Sequence, residues 1–298
     1  MIYGDLHCDT LWRCFEWQSD LSDPRLQLKG NPPFSHLQTY AIFVPDTEKD
    51  PYGYFSAVYD YSQKMMARHP QMVLCKGAGE IDDAFSRGKT PYLLSVEGGN
   101  FFCHSQEQNL KIARELKQKG IAFLSLCYNR GNELAGGYLS PERGLSSLGK
   151  DVALMLREQG ISLDLSHLNH RSADELLELL PHGVVATHSN CYSLMPHPRN
   201  LTDGQLRRLI EKQGLVGINF YPPFLTHDDQ ATLADVYLHI RYIERLGGQK
   251  ILAFGSDFDG IDQTPADLRD LWQVQQLSHL PASYLYGNMK DYLDRCFQ

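Results

Sequence analysis

The sequence predicts an α/β fold, a (β/α)8 TIM barrel in which residues 1–298 form a single domain. Eight short apolar or β-branched runs alternate with amphipathic stretches, and no linker, internal repeat or low-complexity tract divides them. The runs are apolar almost throughout, as suits parallel strands buried on both faces. Eight such strands joined by crossover helices close into a barrel. With 298 residues, 42% of them hydrophobic, the chain can build one large core.

The strands expected are 2–5, 40–44, 92–96, 121–127, 161–165, 184–187, 215–220 and 251–255. Between the first three, residues 17–38 and 45–57 read as long loops rich in Pro and Asp. "NLKIARELKQKG" places Leu110, Ala113 and Leu116 on one helix face and ends at Gly120. Thr202-Asp203-Gly204-Gln205 has the spacing of a capping box, and Gly214 stops that helix before "LVGINF". "TLADVYLHIRYIERLGG" sets Val236, Ile240 and Ile243 at helical spacing before Gly247.

Composition removes several function classes. The net charge is −8 and no basic run is present, which excludes a nucleic-acid partner. The seven cysteines are scattered without a C-x-x-C pair, so they read as reduced thiols in a cytoplasmic protein. Met1-Ile-Tyr-Gly-Asp has neither the basic nor the apolar part of a secretory signal. No apolar run approaches the roughly 18 residues of a membrane span, so no membrane partner is expected.

The chemistry falls at strand ends, where a barrel of this kind carries its site. The first strand ends in Asp5-Leu6-His7-Cys8-Asp9, the third in "SVEGGN" with Glu97, and the fifth in "DLSH" with His167. The sixth ends in "THSN" with His188, and the eighth in "GSDFDG" with Asp257 and Asp259. His7 and Asp9 are two apart on an extended chain, so both point to one face and can hold one ion. His167 and His188 come from adjacent strands. Imidazole with carboxylate suits zinc, with other divalent ions as the alternative. Glu97 would bridge two ions roughly 3.5–4 Å apart, with a shared hydroxide as nucleophile.

Taken singly, each residue has a plainer reading. A His-x-Asp pair is commonly surface or turn, "VEGG" a tight turn, and "GSDFDG" a turn capped by aspartates. Five ligand-type residues ending four strands outweigh those readings and point to a metal site. The other nine histidines lack such a pattern, and His197 in "MPHPRN" reads as packing. Cys8 points away from its neighbours as a small core residue, while Trp12, Phe15 and Trp17 pack after the first strand and shape the pocket wall.

"DLHCDT", "SVEGG", "DLSH", "THSN", "HPRNLTDGQL", "GINFYPPFL" and "GSDFDGI" occur in this order. Over roughly residues 1–262 they strongly resemble the renal (membrane) dipeptidase family of zinc metallopeptidases. The chain is most similar to its soluble bacterial-type members. The resemblance implies two Zn2+ per chain and hydrolysis of free dipeptides. His7 and Asp9 would bind one ion, Glu97 would bridge both, and His167 and His188 would complete the second. Asp257 would handle protons, and Arg199 of "HPRN" would bind the substrate's terminal carboxylate. Where many family members carry a substrate-contacting histidine, this chain has Tyr128 of "LCYN", which would donate to an oxyanion. "YGNMKDYLDRCF" would supply the family's helical close. The partners expected are a small dipeptide and, for assembly, a second copy in a homodimer. The competing readings are another binuclear metal-dependent hydrolase on the same barrel and a non-catalytic metal-binding scaffold.

Overall fold

Nine parallel strands are present among residues 1–30 and 32–297, the residues that this computed structural model describes, and eight of them close into a ring. In chain order they are β1 (Ile2–Cys8), β2 (Ser35–Phe43), β3 (Met72–Leu74), β4 (Thr90–Glu97), β5 (Ile121–Ser125), β6 (Ser162–Asp164), β7 (Val184–Ala186), β8 (Leu215–Ile218) and β9 (Leu252–Phe254). The ring runs β1–β2–β4–β5–β6–β7–β8–β9, and β1 pairs with β9 to shut it. The expected (β/α)8 barrel is therefore observed.

The ninth strand was not expected. In β4, Tyr92 pairs with Gln38 of β2 on one edge and with Leu74 of β3 on the other. β3 thus occupies the start of the edge that β5 takes over from Leu94 onward. Three half-buried residues carry too little hydrophobic pattern to stand out as a strand.

Ten α-helices surround and cap the ring: α1 (Thr10–Trp17), α2 (Pro51–Met66), α3 (Ala78–Ser86), α4 (Gln106–Lys119), α5 (Ser147–Glu158), α6 (His170–Leu179), α7 (Asp203–Glu211), α8 (Pro222–Leu225), α9 (Leu233–Arg245) and α10 (Asn288–Cys296). α7 begins with the expected reciprocal box between Thr202 and Gln205. α4 ends at Gly120 in the left-handed conformation, and Gly247 follows α9 in the same way.

Four local expectations are corrected. Residues 45–57 are not all loop: α2 starts at Pro51, whose missing N–H costs nothing at a first helical position, and Asp50 caps it by accepting from the Gly53 N–H at 3.0 Å. β2 begins at Ser35, inside the segment read as loop, because His36 and Gln38 are polar residues turned into buried surroundings. The buried face of α4 is Asn109, Ile112, Ala113 and Leu116, with Leu110 only half-buried. After α7 the left-handed residue is Gln213 at φ 51°, not Gly214. Glycine is required at 214 for a different reason, since a Cβ there would sit 2.5 Å from the Val184 carbonyl oxygen.

The bottom of the barrel is sealed by the expected helical close. Met289, Tyr292, Leu293 and Phe297 gather with Leu37, Leu93, Phe123, Val185, Leu215 and Ala253 in one buried cluster. Tyr292 donates to Ser162 Oγ at 2.8 Å and Asn288 to the Leu252 carbonyl at 2.7 Å. Both acceptors are the first residues of their strands, so this plug covers the N-terminal end and leaves the C-terminal rim open. No helix among the described residues is long and apolar enough to cross a membrane.

Candidate metal centre

At the open rim the structure brings all five expected ligand residues and Asp257 together. His7 lies in β1, Asp9 just beyond it, and Glu97 is the last residue of β4. His167 follows β6, His188 follows β7 and Asp257 follows β9. His7, Asp9, Glu97, His167 and His188 are each at most 6% exposed. His167 and Asp257 sit at φ 72° and 61°, left-handed conformations that side chains seldom adopt and that cost of order 1–3 kcal/mol each where they are held.

Glu97 is the hub. Its Oε1 lies 2.6 Å from His167 Nε2, 3.5 Å from His188 Nε2 and 3.7 Å from His7 Nε2. His7 Nε2 is 3.3 Å from Asp9 Oδ2 and 3.8 Å from Asp257 Oδ1. His167 and His188 turn their Nε2 atoms toward each other at 2.9 Å. Outer partners orient this cluster. Asn129 Oδ1 lies 2.6 Å from His167 Nδ1, and Asn219 donates to Asp257 Oδ2 at 2.9 Å. Gly260 leaves necessary room, because a Cβ there would press on Asp9 Oδ2 at 2.1 Å.

The cluster forms the floor of a cavity of about 280 Å3. That is at the small end for ligand pockets. Arg199 is 4% exposed in its wall, with one Nη2 3.0 Å from His167 Nε2. Tyr128 lays its ring over the His167 imidazole, centroids 4.4 Å apart, and packs on Phe43 at 4.6 Å. A larger hollow of about 780 Å3, around Asp20, Asp23, Tyr61 and Arg68, contains none of these residues.

Electrostatics follow from three carboxylates buried together. Burial opposes a charged His7, but Glu97, Asp9 and Asp257 outweigh it and push the imidazole up to about 10. Burial, then the charge of Asp9, holds Glu97 well above the usual carboxylate range, and burial raises Asp257. Burial pushes His167 and His188 well down, helped by the cations of Arg199 and His7. Burial also lowers Arg199, against the pull of Asp257 and Glu97.

Several wall residues were not anticipated: Arg13, Tyr138, Tyr221, Phe224 and Asp262. They sit on loops, on α1 and, for Phe224, on the one-turn α8, whose paths no periodicity reveals. Conversely, Trp12, Phe15 and Trp17 do not line the cavity. Trp12 donates to the Tyr54 hydroxyl at 3.1 Å, and Trp17 is an exposed ring under Arg25. The second aspartate of "GSDFDG", Asp259, turns away to accept from Thr10 Oγ1 and the Gln27 N–H, tying α1 to the rim.

The model of the membrane dipeptidase family, peptidase family M19, matches residues 4–285. The chain belongs to the membrane dipeptidase family. Among curated family relatives, an uncharacterized dipeptidase of Schizosaccharomyces pombe is 34% identical over 207 residues, which is 66% of this chain and 49% of the relative. Dipeptidase aclJ of Aspergillus oryzae is 32% identical over 226 residues, 73% of this chain and 53% of its own length. The chain thus spans about half the length of the curated relatives it matches. Two solved structures share its fold across nearly their whole length. Dipeptidase AC, a metallo peptidase of family M19, is 23% identical at TM-score 0.88, with 100% of this chain and 99% of that one covered. A Rhodobacter sphaeroides metallo peptidase liganded with a phosphinate mimic of L-Ala-D-Ala is 22% identical at TM-score 0.87, with 99% of each chain covered.

The residues of this membrane dipeptidase family member fit a divalent metal. Three triads could each hold one ion: His7, Asp9 and Glu97; Glu97, His167 and His188; and His7, His188 and Asp257. Within each triad the ligand atoms lie within 4.8 Å of one another. Asp9 Oδ1 is buried without a hydrogen-bond partner among the described residues, which a buried carboxylate oxygen seldom tolerates. A mixed imidazole and carboxylate donor set suits zinc and other first-row divalent ions.

Proposed function

We propose that the chain is a metal-dependent dipeptidase, a single catalytic domain over residues 1–298 that hydrolyses free dipeptides. His7, Asp9, Glu97, His167 and His188 would hold two zinc ions, with Glu97 between them. The observation that carries this reading is Arg199, a buried guanidinium set in the wall of a cavity of about 280 Å3 whose floor is the Glu97 cluster. A cation placed there suits a substrate whose free carboxylate lies one residue beyond the bond to be cut.

When bound, the ions would polarise the scissile carbonyl and lower the pKa of water so that a nucleophile exists near neutral pH. The remaining work falls to the chain. Arg199 clamps the terminal carboxylate with its planar fork. Asp257, oriented by Asn219, takes the proton from the attacking water and passes it to the leaving amine. Tyr128, anchored on the His167 ring, offers its hydroxyl to the developing oxyanion.

Turnover of a simple dipeptide after zinc addition tests the reading. The Rhodobacter sphaeroides relative was liganded with a mimic of L-Ala-D-Ala, which makes L-Ala-D-Ala beside L-Ala-L-Ala the first pair to try. The loaded protein should hold about two divalent ions per chain. Chelation should abolish activity and zinc should restore it. Full turnover by metal-free protein would refute the mechanism, and metal binding without turnover of any dipeptide would favour the scaffold reading.

Arg199→Ala probes the substrate class. A hydrogen bond to a charged group is worth roughly 1.5–3 kcal/mol, so kcat/KM for a free dipeptide should fall at least about tenfold. The same change should matter little for a dipeptide amide, which has no carboxylate to clamp. Two enzymes and two substrates give one coupling energy. Metal content must be measured in both proteins because Arg199 reaches His167 Nε2. Equal losses for acid and amide with the metal intact would show that Arg199 does not read the carboxylate.

A further inference from the structure

Asp164 is a buried carboxylate that the proposed chemistry does not use. It is the last residue of β6, 3% exposed, and pairs with no Lys, Arg or His among the described residues. Four donors converge on it instead. Its Oδ1 accepts from the backbone N–H groups of Ser166 and Thr187, each at 2.9 Å. Its Oδ2 accepts from Ser125 Oγ at 3.3 Å and from Thr187 Oγ1 in a short hydrogen bond. Thr187 Oγ1 also lies 2.8 Å from His188 Nδ1, and 3.4 Å from Ser166 Oγ.

A threonine hydroxyl has one hydrogen. Committed to Asp164, Thr187 Oγ1 can only accept from His188 Nδ1. The imidazole proton is then fixed on Nδ1, and the Nε2 lone pair faces Glu97 and His167. We propose that Asp164 and Thr187 form a hydrogen-bond relay that sets the tautomer of His188 for metal binding. Ligating histidines usually give their second N–H directly to a carboxylate or carbonyl. Here the carboxylate acts through a hydroxyl, so Asp164 and Thr187 are positioning residues. The inference rests on the reading of His188 as a ligand.

The relay has a polarity that one substitution reverses. In Asp164→Asn the side-chain oxygen must stay toward the two backbone N–H groups that bind Oδ1. The new amide nitrogen then faces Thr187 Oγ1 and donates to it. The hydroxyl hydrogen, without an acceptor at 164, turns to His188 Nδ1 at 2.8 Å in preference to Ser166 Oγ at 3.4 Å, and the imidazole proton moves to Nε2, where it blocks the metal. Thr187→Val removes the acceptor, whereas Thr187→Ser keeps it.

Two readouts test this, neither of them catalytic. The first is the 15N spectrum of His188 in metal-free protein, which reports which ring nitrogen carries the proton. The second is zinc affinity by competition with a chromophoric chelator. The unmodified protein and Thr187→Ser should carry the proton on Nδ1 and bind zinc alike. Asp164→Asn should carry it on Nε2, and Asp164→Asn and Thr187→Val should each lose about 10–100-fold in affinity at one site. Folded Asp164→Asn with an unchanged tautomer and unchanged affinity overturns the relay. Should Asp164→Asn not fold, the Thr187 pair decides, since both variants leave Asp164 in place: equal affinity for Ser and Val overturns the proposal. If the unmodified protein binds no zinc, the metal reading fails, and the tautomer of the Asp164 and Thr187 variants still decides the relay.

Discussion

Glu97→Gln is expected to cost at least one metal ion and most of the activity. The substitution preserves shape and removes one negative charge at the point where three imidazole nitrogens converge within 3.7 Å of Oε1. Two dications held close together repel each other, and a shared carboxylate offsets that repulsion in a way a neutral amide cannot. The new amide N–H groups would also compete with metal for the Nε2 lone pairs. Losing an outer partner of a ligand typically costs 10–100-fold in metal affinity or activity. Losing a ligand charge at the hub should cost at least as much, about hundredfold or more in turnover at limiting zinc. Elemental analysis and steady-state kinetics on one preparation check it. Two ions and normal turnover in Glu97→Gln would show that Glu97 is not the bridge.

Asp257→Asn should lower kcat by about 10²–10⁴-fold, the range that general acid–base groups contribute. The variant should fold. Position 257 lies at φ 61°, and asparagine accepts that region about as readily as aspartate. The Asn219 contact has an oxygen to donate to in either residue. Burial raises the Asp257 carboxyl, which suits a group that must both take and return a proton. Yet Asp257 also lies within one of the ligand triads, with His7 and His188. Metal analysis separates the two roles: a lower kcat with both ions retained makes Asp257 a proton carrier, and loss of an ion makes it a ligand. A change confined to KM would make it a substrate-binding residue.

The barrel was legible because most of its strands are short apolar runs bounded by glycine or polar turns, as at Val184–Ala186 and Leu252–Phe254. Pattern failed where burial is polar or the element is brief. β2 starts at Ser35 because it buries His36 and Gln38, and β3 has three half-buried residues. The candidate ligands stood out because charged residues at strand ends have few structural uses, and the fold gathers all of them. Asp259 and Asp164 mark the limit of that signal. Asp259 looked equivalent to Asp257 yet ties α1 to the rim, and Asp164 read as one residue of an apolar strand. Arg13, Tyr138 and Asp262 reach the cavity only through the path of their loops and of α1, which spacing does not encode.

Pairing of β1 with β9 puts Asp9, near one end of the sequence, beside Asp257, near the other. About 250 residues separate them. A ribosome adding roughly 5–20 residues per second needs roughly 10–50 s to make that span. During this time His7 and Asp9 have emerged but lack the neighbours that would hold an ion in a fixed geometry. On the metal-dependent reading, loading would follow synthesis of β9 instead of preceding it, and the ions would enter through the open rim of a closed barrel. The metal acquired would then be set by what is available to the folded barrel, and a nascent chain arrested before β9 should bind zinc no better than an unstructured peptide with the same histidines.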